Sequence, residues 1–186
     1  LDFPEQQELW LPGQTLDHVY TVPTTAELID HWAATHDHSN VIESPGVFGV
    51  LRTPDVTPRV VVSIDLCEVI RGTLHSMASV FGKTSVDLHT YSAYAPNFGV
   101  EDHMVAPVIQ TLMNHGHVKP DDAIEEISQT LQSWREQDAY CVANTSTLPG
   151  CEIATISFLD EYLPGCFDGI LLPRNHDGKE IGRAHV

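Results

Sequence analysis

The chain has 186 residues, of which 42% are hydrophobic and 19% charged, enough for one folded domain, alone or with a small appendage. Twenty-six acidic residues against nine basic ones give a net charge of −17, which argues against binding to a nucleic-acid polymer because like charges repel. No run approaches the roughly 18 apolar residues of a membrane span, so the sequence predicts no membrane partner.

The four cysteines lie in or beside apolar stretches, and their spacings match no zinc-binding pattern. This usage is typical of small core residues in a reducing compartment. We therefore expect a cytoplasmic protein. The cysteines are Cys67, Cys141, Cys151 and Cys166.

Residues 1–58 differ from the rest of the chain and predict a small α+β lead-in of unknown role. Thr24 and Glu27 have the spacing of a capping box, which indicates a short helix directly after Thr24. Two strands are predicted next, over 47–51 and from Val60 onward, joined by a short turn that carries prolines.

The run from Arg59 to Asp65 is the most strand-like stretch in the chain, because β-branched residues dominate it and no turn residue interrupts it. It predicts a buried parallel strand that delivers the Asp65 carboxylate to the sheet edge where α/β proteins bind ligands. The simpler alternative is that Asp65 only caps the helix that follows.

Beyond Asp65 the chain alternates between predicted helices and strands with short connections. This alternation indicates right-handed parallel units, and hence an α/β fold whose strand ends meet at one edge. The helices are predicted near residues 74–81, 104–113, 120–137 and 153–162, and the strands over 139–143 and 167–172.

Three kinds of polar group follow successive predicted strands: the Asp65 carboxylate, the polar run Asn144 to Thr147, and the Lys179 ammonium. A carboxylate can attack a phosphoryl group, hydroxyls can hydrogen-bond its oxygens, and an ammonium can neutralise their charge. The spacing therefore favours a phosphoryl-transfer site at the edge of the sheet.

With a carboxylate, a hydroxyl-bearing run and a lysine in this order after successive strands, the chain resembles the haloacid dehalogenase (HAD) superfamily of hydrolases. The helix, strand and hydroxyls of residues 120–146 are similar to its second motif, and 163–173 with Lys179 to its third. The resemblance covers residues 59–179 and is closest to the pyrimidine 5'-nucleotidase-like branch. It implies a HAD-like three-layer parallel sheet, Rossmann-like, with a helical cap inserted at 72–118.

The resemblance also implies a role for each matching residue. Asp65 would be the nucleophile that forms an aspartyl-phosphate, and it would also be a ligand of Mg2+. Thr145 or Ser146 would bind the phosphoryl group, and Lys179 would neutralise it. The implied enzyme is a phosphatase-type hydrolase whose substrate is a small phosphorylated metabolite, with nucleotides among the candidates.

Two departures from the family pattern leave a second hypothesis open. Phosphatases of the family carry a second Asp two residues after the nucleophile as general acid, and here that position is Cys67. A thiol is a poor proton donor to a departing alkoxide. No acidic pair follows Lys179 to complete a Mg2+ site. The alternative is a catalytically impaired HAD-like domain that serves as a binding or interaction module.

Residues 180–186 are left out of the fold prediction. Ile181 to Val186 can be back-translated as ATC GGA AGA GCA CAC GTC, which resembles a sequencing adapter. We therefore expect an artefactual tail, and a HAD-like core truncated before the fourth motif.

Three histidines, His31, His36 and His38, form a weak candidate for a transition-metal site. The five-residue spacing of the first two suits one helical face poorly, so we interpret all three as solvated polar residues.

Overall fold

The computed structural model describes residues 22–36, 39–44, 47–66, 70–80 and 102–173. The helices and strands lie close to the predicted positions, except the strand at 39–44, which the sequence did not predict. The helices are α1 (Thr25–Ala33), α2 (Thr73–Val80), α3 (Asp102–Asn114), α4 (Ile124–Glu136) and α5 (Glu152–Tyr162). The strands are β1 (Ser39–Ser44), β2 (Val47–Arg52), β3 (Val60–Asp65), β4 (Ala139–Asn144) and β5 (Gly169–Pro173). None of the described helices has the length and apolar content needed to cross a membrane.

The strands form one mixed sheet in the order β1-β2-β5-β4-β3. β3 pairs parallel with β4, and β4 pairs parallel with β5, which confirms the predicted parallel pairing in this part of the sheet. β1 and β2 instead pair antiparallel, and β2 pairs antiparallel with β5. The sheet is therefore not wholly parallel, because the β1–β2 hairpin extends it beyond β5.

β2 and β3 are not neighbours, although only seven residues (53–59) join them, because β5 and β4 lie between them. Two glycines bring β2 and β5 together. A Cβ atom on Gly49 would lie 2.6 Å from Leu171 Cδ2, and one on Gly169 would lie 2.5 Å from Leu51 Cδ2. Each glycine thus leaves room for a leucine of the other strand.

The main hydrophobic core lies against one face of the sheet, since its strand residues alternate and match in register. α1, α4 and α5 contribute the helical part of this core. The lead-in helix is therefore packed with the rest of the protein. The strand residues are Phe48, Val50, Ala139, Cys141, Ala143, Ile170 and Leu172, with Val62 and Ile64 partly buried against them.

The predicted capping box of α1 is confirmed. Thr24 Oγ1 accepts a hydrogen bond from the Glu27 amide at 3.2 Å, and the Thr24 amide donates to Glu27 Oε2 at 2.7 Å. These bonds satisfy amides at the start of the helix. The helix then buries Leu28 and Trp32 in the core.

The prediction that β3 is a buried strand is wrong: three of its six residues are exposed, the other three are only partly buried, and its first two residues are both exposed. Val60 and Val61 are 52% and 64% exposed, and because successive side chains alternate, both faces of the strand are open there. The physical reason is that β3 is one of the two edge strands of the described sheet, so only one of its sides pairs with another strand. β4 is the strand that is buried along nearly its whole length.

The segment 72–118 leaves and rejoins the rest of the chain at one place, which we call the neck (residues 70–72 and 119–121). The Gly72 amide donates to the Lys119 carbonyl at 3.0 Å, and the Asp121 amide donates to the Ile70 carbonyl at 2.8 Å. α2 and α3 lie within this segment and share a second hydrophobic cluster with Leu148, Cys151 and Ala154. The geometry suits an inserted unit, and its role as a cap stays a prediction.

Three of the four cysteines agree with the expectation of buried core thiols. Cys141, Cys151 and Cys166 are buried and carry free thiols. Cys67 lies outside the described residues.

Candidate functional site

Asp65 and the polar run after β4 lie at the same edge of the sheet. Asp65 is the last residue of β3 and is the Cα partner of Asn144, the last residue of β4, in a parallel pair. Thr145 follows directly. The prediction that these strand ends meet at one edge is confirmed, and the pairing brings the Asp65 carboxylate close to residues 145–147, which we call the hydroxyl segment.

Asn144 is the side chain whose register places it opposite Asp65, and the sequence did not single it out as a site residue. Because side chains alternate along a strand, Ser63, Asp65 and Asn144 share one face of the sheet. Asn144 Nδ2 donates to Ser63 Oγ at 3.4 Å. The signal available in the sequence was its position, one residue before the proposed phosphate-binding hydroxyl.

The hydroxyl segment continues the pairing of β4 with β5 beyond the strand end. The Thr145 amide donates to the Leu171 carbonyl at 3.1 Å, and the Thr147 amide donates to the Pro173 carbonyl at 3.2 Å. Thr145 is only 2% exposed, whereas Ser146 is exposed. Of the two predicted phosphate-binding residues, Ser146 therefore faces solvent and Thr145 lies inside.

A buried guanidinium lies behind Thr145. Arg71 is 4% exposed, and its Nη2 donates to Thr145 Oγ1 at 3.1 Å. Its Nη1 donates to Thr155 Oγ1 of α5 at 3.3 Å and contacts Met113 Sδ of α3 at 3.6 Å. Sequence reasoning missed Arg71. The sequence offers no signal for it, because its burial depends on contacts from elements that are distant in the chain.

A buried carboxylate lies close to the same cluster. Glu152, the first residue of α5, is fully buried. The pKa of the neighbouring Cys151 thiol is raised to about 12, chiefly by burial and then by the Glu152 charge, while the Arg71 charge opposes the rise. Arg71 and Glu152 thus both lie near this thiol, and Arg71 is the one that also bonds Thr145.

The remaining predicted site residues, Cys67 and Lys179, lie outside the described residues. Within the described ranges, no group of three or more His, Cys, Asp or Glu side chains is arranged to hold a metal ion. Asp65 offers one carboxylate, and Mg2+ requires about six oxygen ligands in near-octahedral geometry. The described residues therefore do not form a complete Mg2+ site by themselves.

The histidines of the lead-in make polar contacts on the surface between α1 and α5. His31 Nε2 lies 3.1 Å from Ser157 Oγ. His36 stacks on Trp32 with ring centroids 3.6 Å apart, and its Nε2 lies 3.7 Å from Asp160 Oδ1. His38 lies outside the described residues. His31 and His36 are therefore partly buried, and the interpretation of solvated residues is wrong for His36, whose side chain is only 14% exposed.

A cleft of about 240 Å³ lies between α3 and α5. Met113, which contacts Arg71, forms part of its wall. The cleft therefore lies between the segment 72–118 and the sheet domain, one side chain away from the buried guanidinium. Its other walls include Asn114, Val118, Ser157, Phe158 and Tyr162.

The opposite edge of the sheet carries a second charged cluster that the sequence did not reveal. The Asp168 carboxylate is buried and accepts hydrogen bonds from Arg52 Nη2 at 2.9 Å, Arg135 Nη2 at 2.8 Å and the Cys141 amide at 3.0 Å. These bonds join β2, α4, β4 and the start of β5. Because these bonds hold four elements together, we call the cluster the Asp168 clamp. It lies at the amino ends of β4 and β5, away from Asp65.

The carboxyl edge thus combines a carboxylate in register with Asn144, an exposed hydroxyl at Ser146, and a buried guanidinium bonded to Thr145. Such groups can present a nucleophile and stabilise negative charge on a bound anion. Comparison with protein-family models, with curated proteins and with solved structures finds no match for this chain.

Proposed function

We propose that this protein hydrolyses a small phosphorylated metabolite, a nucleotide among the candidates, by the aspartyl-phosphate route of HAD-type enzymes. The observation that supports this most is the register of Asp65 with Asn144 at the carboxyl ends of parallel strands. Ligands of open α/β sheets bind at this edge. A carboxylate fixed there by its strand is placed to act as a nucleophile.

In the proposed reaction one Asp65 carboxylate oxygen attacks the phosphorus atom, and the bond from phosphorus to the metabolite oxygen breaks. The leaving oxygen takes a proton from solvent. Water then attacks the phosphorus and gives up a proton to solvent, and the bond from phosphorus to the Asp65 oxygen breaks, which releases inorganic phosphate and restores the carboxylate. Ser146 and Thr145 would hold the phosphoryl oxygens, and Lys179 would neutralise them. Mg2+, with Asp65 as one ligand, belongs to this proposal, as does a cytoplasmic location.

Positive charge near the hydroxyl segment supports the proposal in a chain that is otherwise strongly acidic. The net charge of −17 disfavours a phosphorylated substrate at most of the surface. The Arg71 guanidinium counters this locally, since its Nη2 lies 3.1 Å from Thr145 Oγ1. A phosphoryl group at the hydroxyl segment would therefore lie near a cation held in a low-dielectric environment.

The test is a panel of phosphorylated metabolites assayed with Mg2+, using the wild-type chain and Asp65→Asn. The substitution keeps the size of the side chain and removes the nucleophile, so turnover should fall at least about 1,000-fold. Asp138→Asn is the matched control, because Asp138 lies in a turn at the far edge, at a positive φ of 62° that asparagine tolerates. Release of phosphate by Asp65→Asn at the wild-type rate would contradict the proposal.

A second candidate, from another class, is a HAD-like domain that binds a phosphorylated ligand without turning it over. The burial of Thr145, whose hydroxyl already bonds Arg71, favours it, as does Cys67 at the general-acid position. Calorimetry with the same panel separates the two. Saturable binding without phosphate release indicates the binding domain, and release that depends on Asp65 indicates the hydrolase.

A further inference from the structure

The Arg71 side chain joins three parts of the fold through one buried group. Its guanidinium bonds Thr145 after β4 and Thr155 in α5, and it contacts Met113 in α3. A guanidinium offers five N–H donors in a rigid planar arrangement, so it can hold two hydroxyls in fixed positions at once. Lysine could not reproduce this, because its ammonium is a single point on a flexible stem.

The main chain of Arg71 is held as firmly as its side chain. Arg71 forms an isolated antiparallel bridge with Pro120, and the backbone bonds of Gly72 to Lys119 and of Asp121 to Ile70 lie on either side of it. Arg71 therefore belongs to the neck, where the segment 72–118 leaves the sheet domain. Because both its main chain and its guanidinium are held by hydrogen bonds, Arg71 can keep the Thr145 hydroxyl in one orientation.

The bond to Arg71 determines what the Thr145 hydroxyl can do. Because Thr145 Oγ1 accepts from the guanidinium, its own proton must point elsewhere, and the Ser146 carbonyl is one acceptor within reach, at 3.4 Å. That distance is long for a hydroxyl donor, so the bond is weak. A hydroxyl that accepts a charge-assisted hydrogen bond is polarised and becomes a better donor.

We infer that Arg71 is a positioning residue that orients the Thr145 hydroxyl to donate a hydrogen bond to a bound phosphoryl group. The inference rests on the proposed function. Arg71 acts through Thr145, so its contribution to phosphate binding should disappear when the Thr145 hydroxyl is absent. This dependence distinguishes positioning from a general structural role, which would persist whatever residue occupies position 145.

The test is a double-mutant cycle on the full chain, with inorganic phosphate and Mg2+ as the probe and calorimetry as the measurement. Arg71→Lys keeps the charge and should weaken phosphate binding about tenfold in the wild-type background. In a Thr145→Val background the same change should have almost no further effect. In a Thr145→Ser background, which keeps the hydroxyl, the loss of about tenfold should return.

Arg135→Met is the matched control, since Arg135 also bonds a buried partner but lies at the opposite edge. It should lower thermal stability and leave phosphate affinity unchanged. If Arg71→Lys does not fold, Thr145→Val alone should still reduce phosphate affinity, and Arg71→Met in that background should reduce it no further.

An equal loss from Arg71→Lys in the valine and serine backgrounds, or no loss in either, overturns the inference and leaves the proposed function standing. A wild-type chain that neither binds phosphate nor releases it from any substrate overturns both. The two failures are distinguishable, because the second appears in the wild type and the first only in the variants.

Discussion

Asp65 and Asn144 are Cα partners at the last position of β3 and of β4. This relationship gives the carboxylate a fixed neighbour on its own face and places the hydroxyl segment one residue further along. It also explains how residues about 80 positions apart in sequence form one edge, since 144 minus 65 is 79. A site assembled from strand ends is held by backbone hydrogen bonds and is therefore rigid.

The residue at position 67 decides how well the proposed hydrolysis proceeds. Cys67→Asp would supply the missing proton donor, and general acid catalysis contributes about 100-fold or more. We expect turnover of the best substrate to rise by a factor of that order, measured as steady-state phosphate release. Cys67→Ser is the control, because it replaces the thiol without adding a carboxylate. An unchanged rate in a folded Cys67→Asp protein would indicate different chemistry or none.

The Asp168 clamp should contribute strongly to stability. Asp168→Asn leaves two arginine side chains without their shared carboxylate, and we expect the free energy of unfolding to fall by about 3 kcal/mol. The control is Asp55→Asn, since Asp55 also pairs with Arg52 at 3.4 Å but is 94% exposed, and exposed pairs contribute little. Chemical denaturation of the two variants measures the difference. Equal losses would show that burial of the clamp is unimportant.

The same clamp gives a pH dependence. Burial alone would raise the pKa of Asp168, but the hydrogen bonds from Arg135, the Cys141 amide and Arg52 lower it overall, below its ordinary value of 3.8. The stabilisation is therefore complete above the unfolded-state pKa near 4 and is lost as the pH falls through the lower folded-state pKa. Asp168→Asn should flatten this part of the acid-unfolding curve. A curve as steep as that of the wild type would contradict the assignment.

The two glycines of the β2–β5 pair should differ in their tolerance of a methyl group. At Gly169 an added Cβ would lie 2.5 Å from Leu51 Cδ2 and also 2.9 Å from the Val50 carbonyl oxygen, which is backbone and cannot move aside. At Gly49 the close atom is a leucine methyl, which can rotate away. We expect a loss of about 2 kcal/mol for Gly169→Ala and about 1 kcal/mol for Gly49→Ala. The opposite order in urea denaturation would contradict the described β2–β5 packing.

The thiol of Cys151 should be unreactive in the folded protein. With its pKa raised to about 12 by burial and by Glu152, the thiolate fraction at pH 8 is roughly one in 10,000. Iodoacetamide at pH 8 should leave Cys151 unmodified in the native state and modify it fully after unfolding in guanidinium chloride. Peptide mass spectrometry reads both states. Rapid native labelling would place Cys151 outside the buried cluster.

The helices and most strands could be predicted because their signals are local in the sequence. The parallel pairing of β3 and β4 could be predicted from a general rule of chain connection. The capping box at Thr24 and Glu27 defines where α1 begins, and the crossover rule makes β3 and β4 parallel neighbours. The position of β2 could not be predicted in this way. It depends on Gly49 and Gly169, which are 120 residues apart in the sequence and become complementary only when the strands pair.

The buried charges were also beyond sequence reasoning. Nothing in the spacing of Arg71 distinguishes it from a surface arginine, because its burial depends on contacts from α3, α5 and the segment after β4. Asp168 is a similar case, since its two arginine partners come from β2 and α4. The burial of Val60 was predicted wrongly because a local pattern was taken as evidence of burial. Its β-branched run resembles that of a central strand, while its burial depends on sheet order.

The central claim is that Asp65 carries the phosphoryl group during turnover. The most direct measurement is to stop the reaction with borohydride, which reduces an aspartyl-phosphate to homoserine, and to map the product by peptide mass spectrometry. The account predicts homoserine at position 65 only when a substrate is present, and none in Asp65→Asn. Substrate hydrolysis without any homoserine at position 65, or with homoserine at another aspartate, would contradict it.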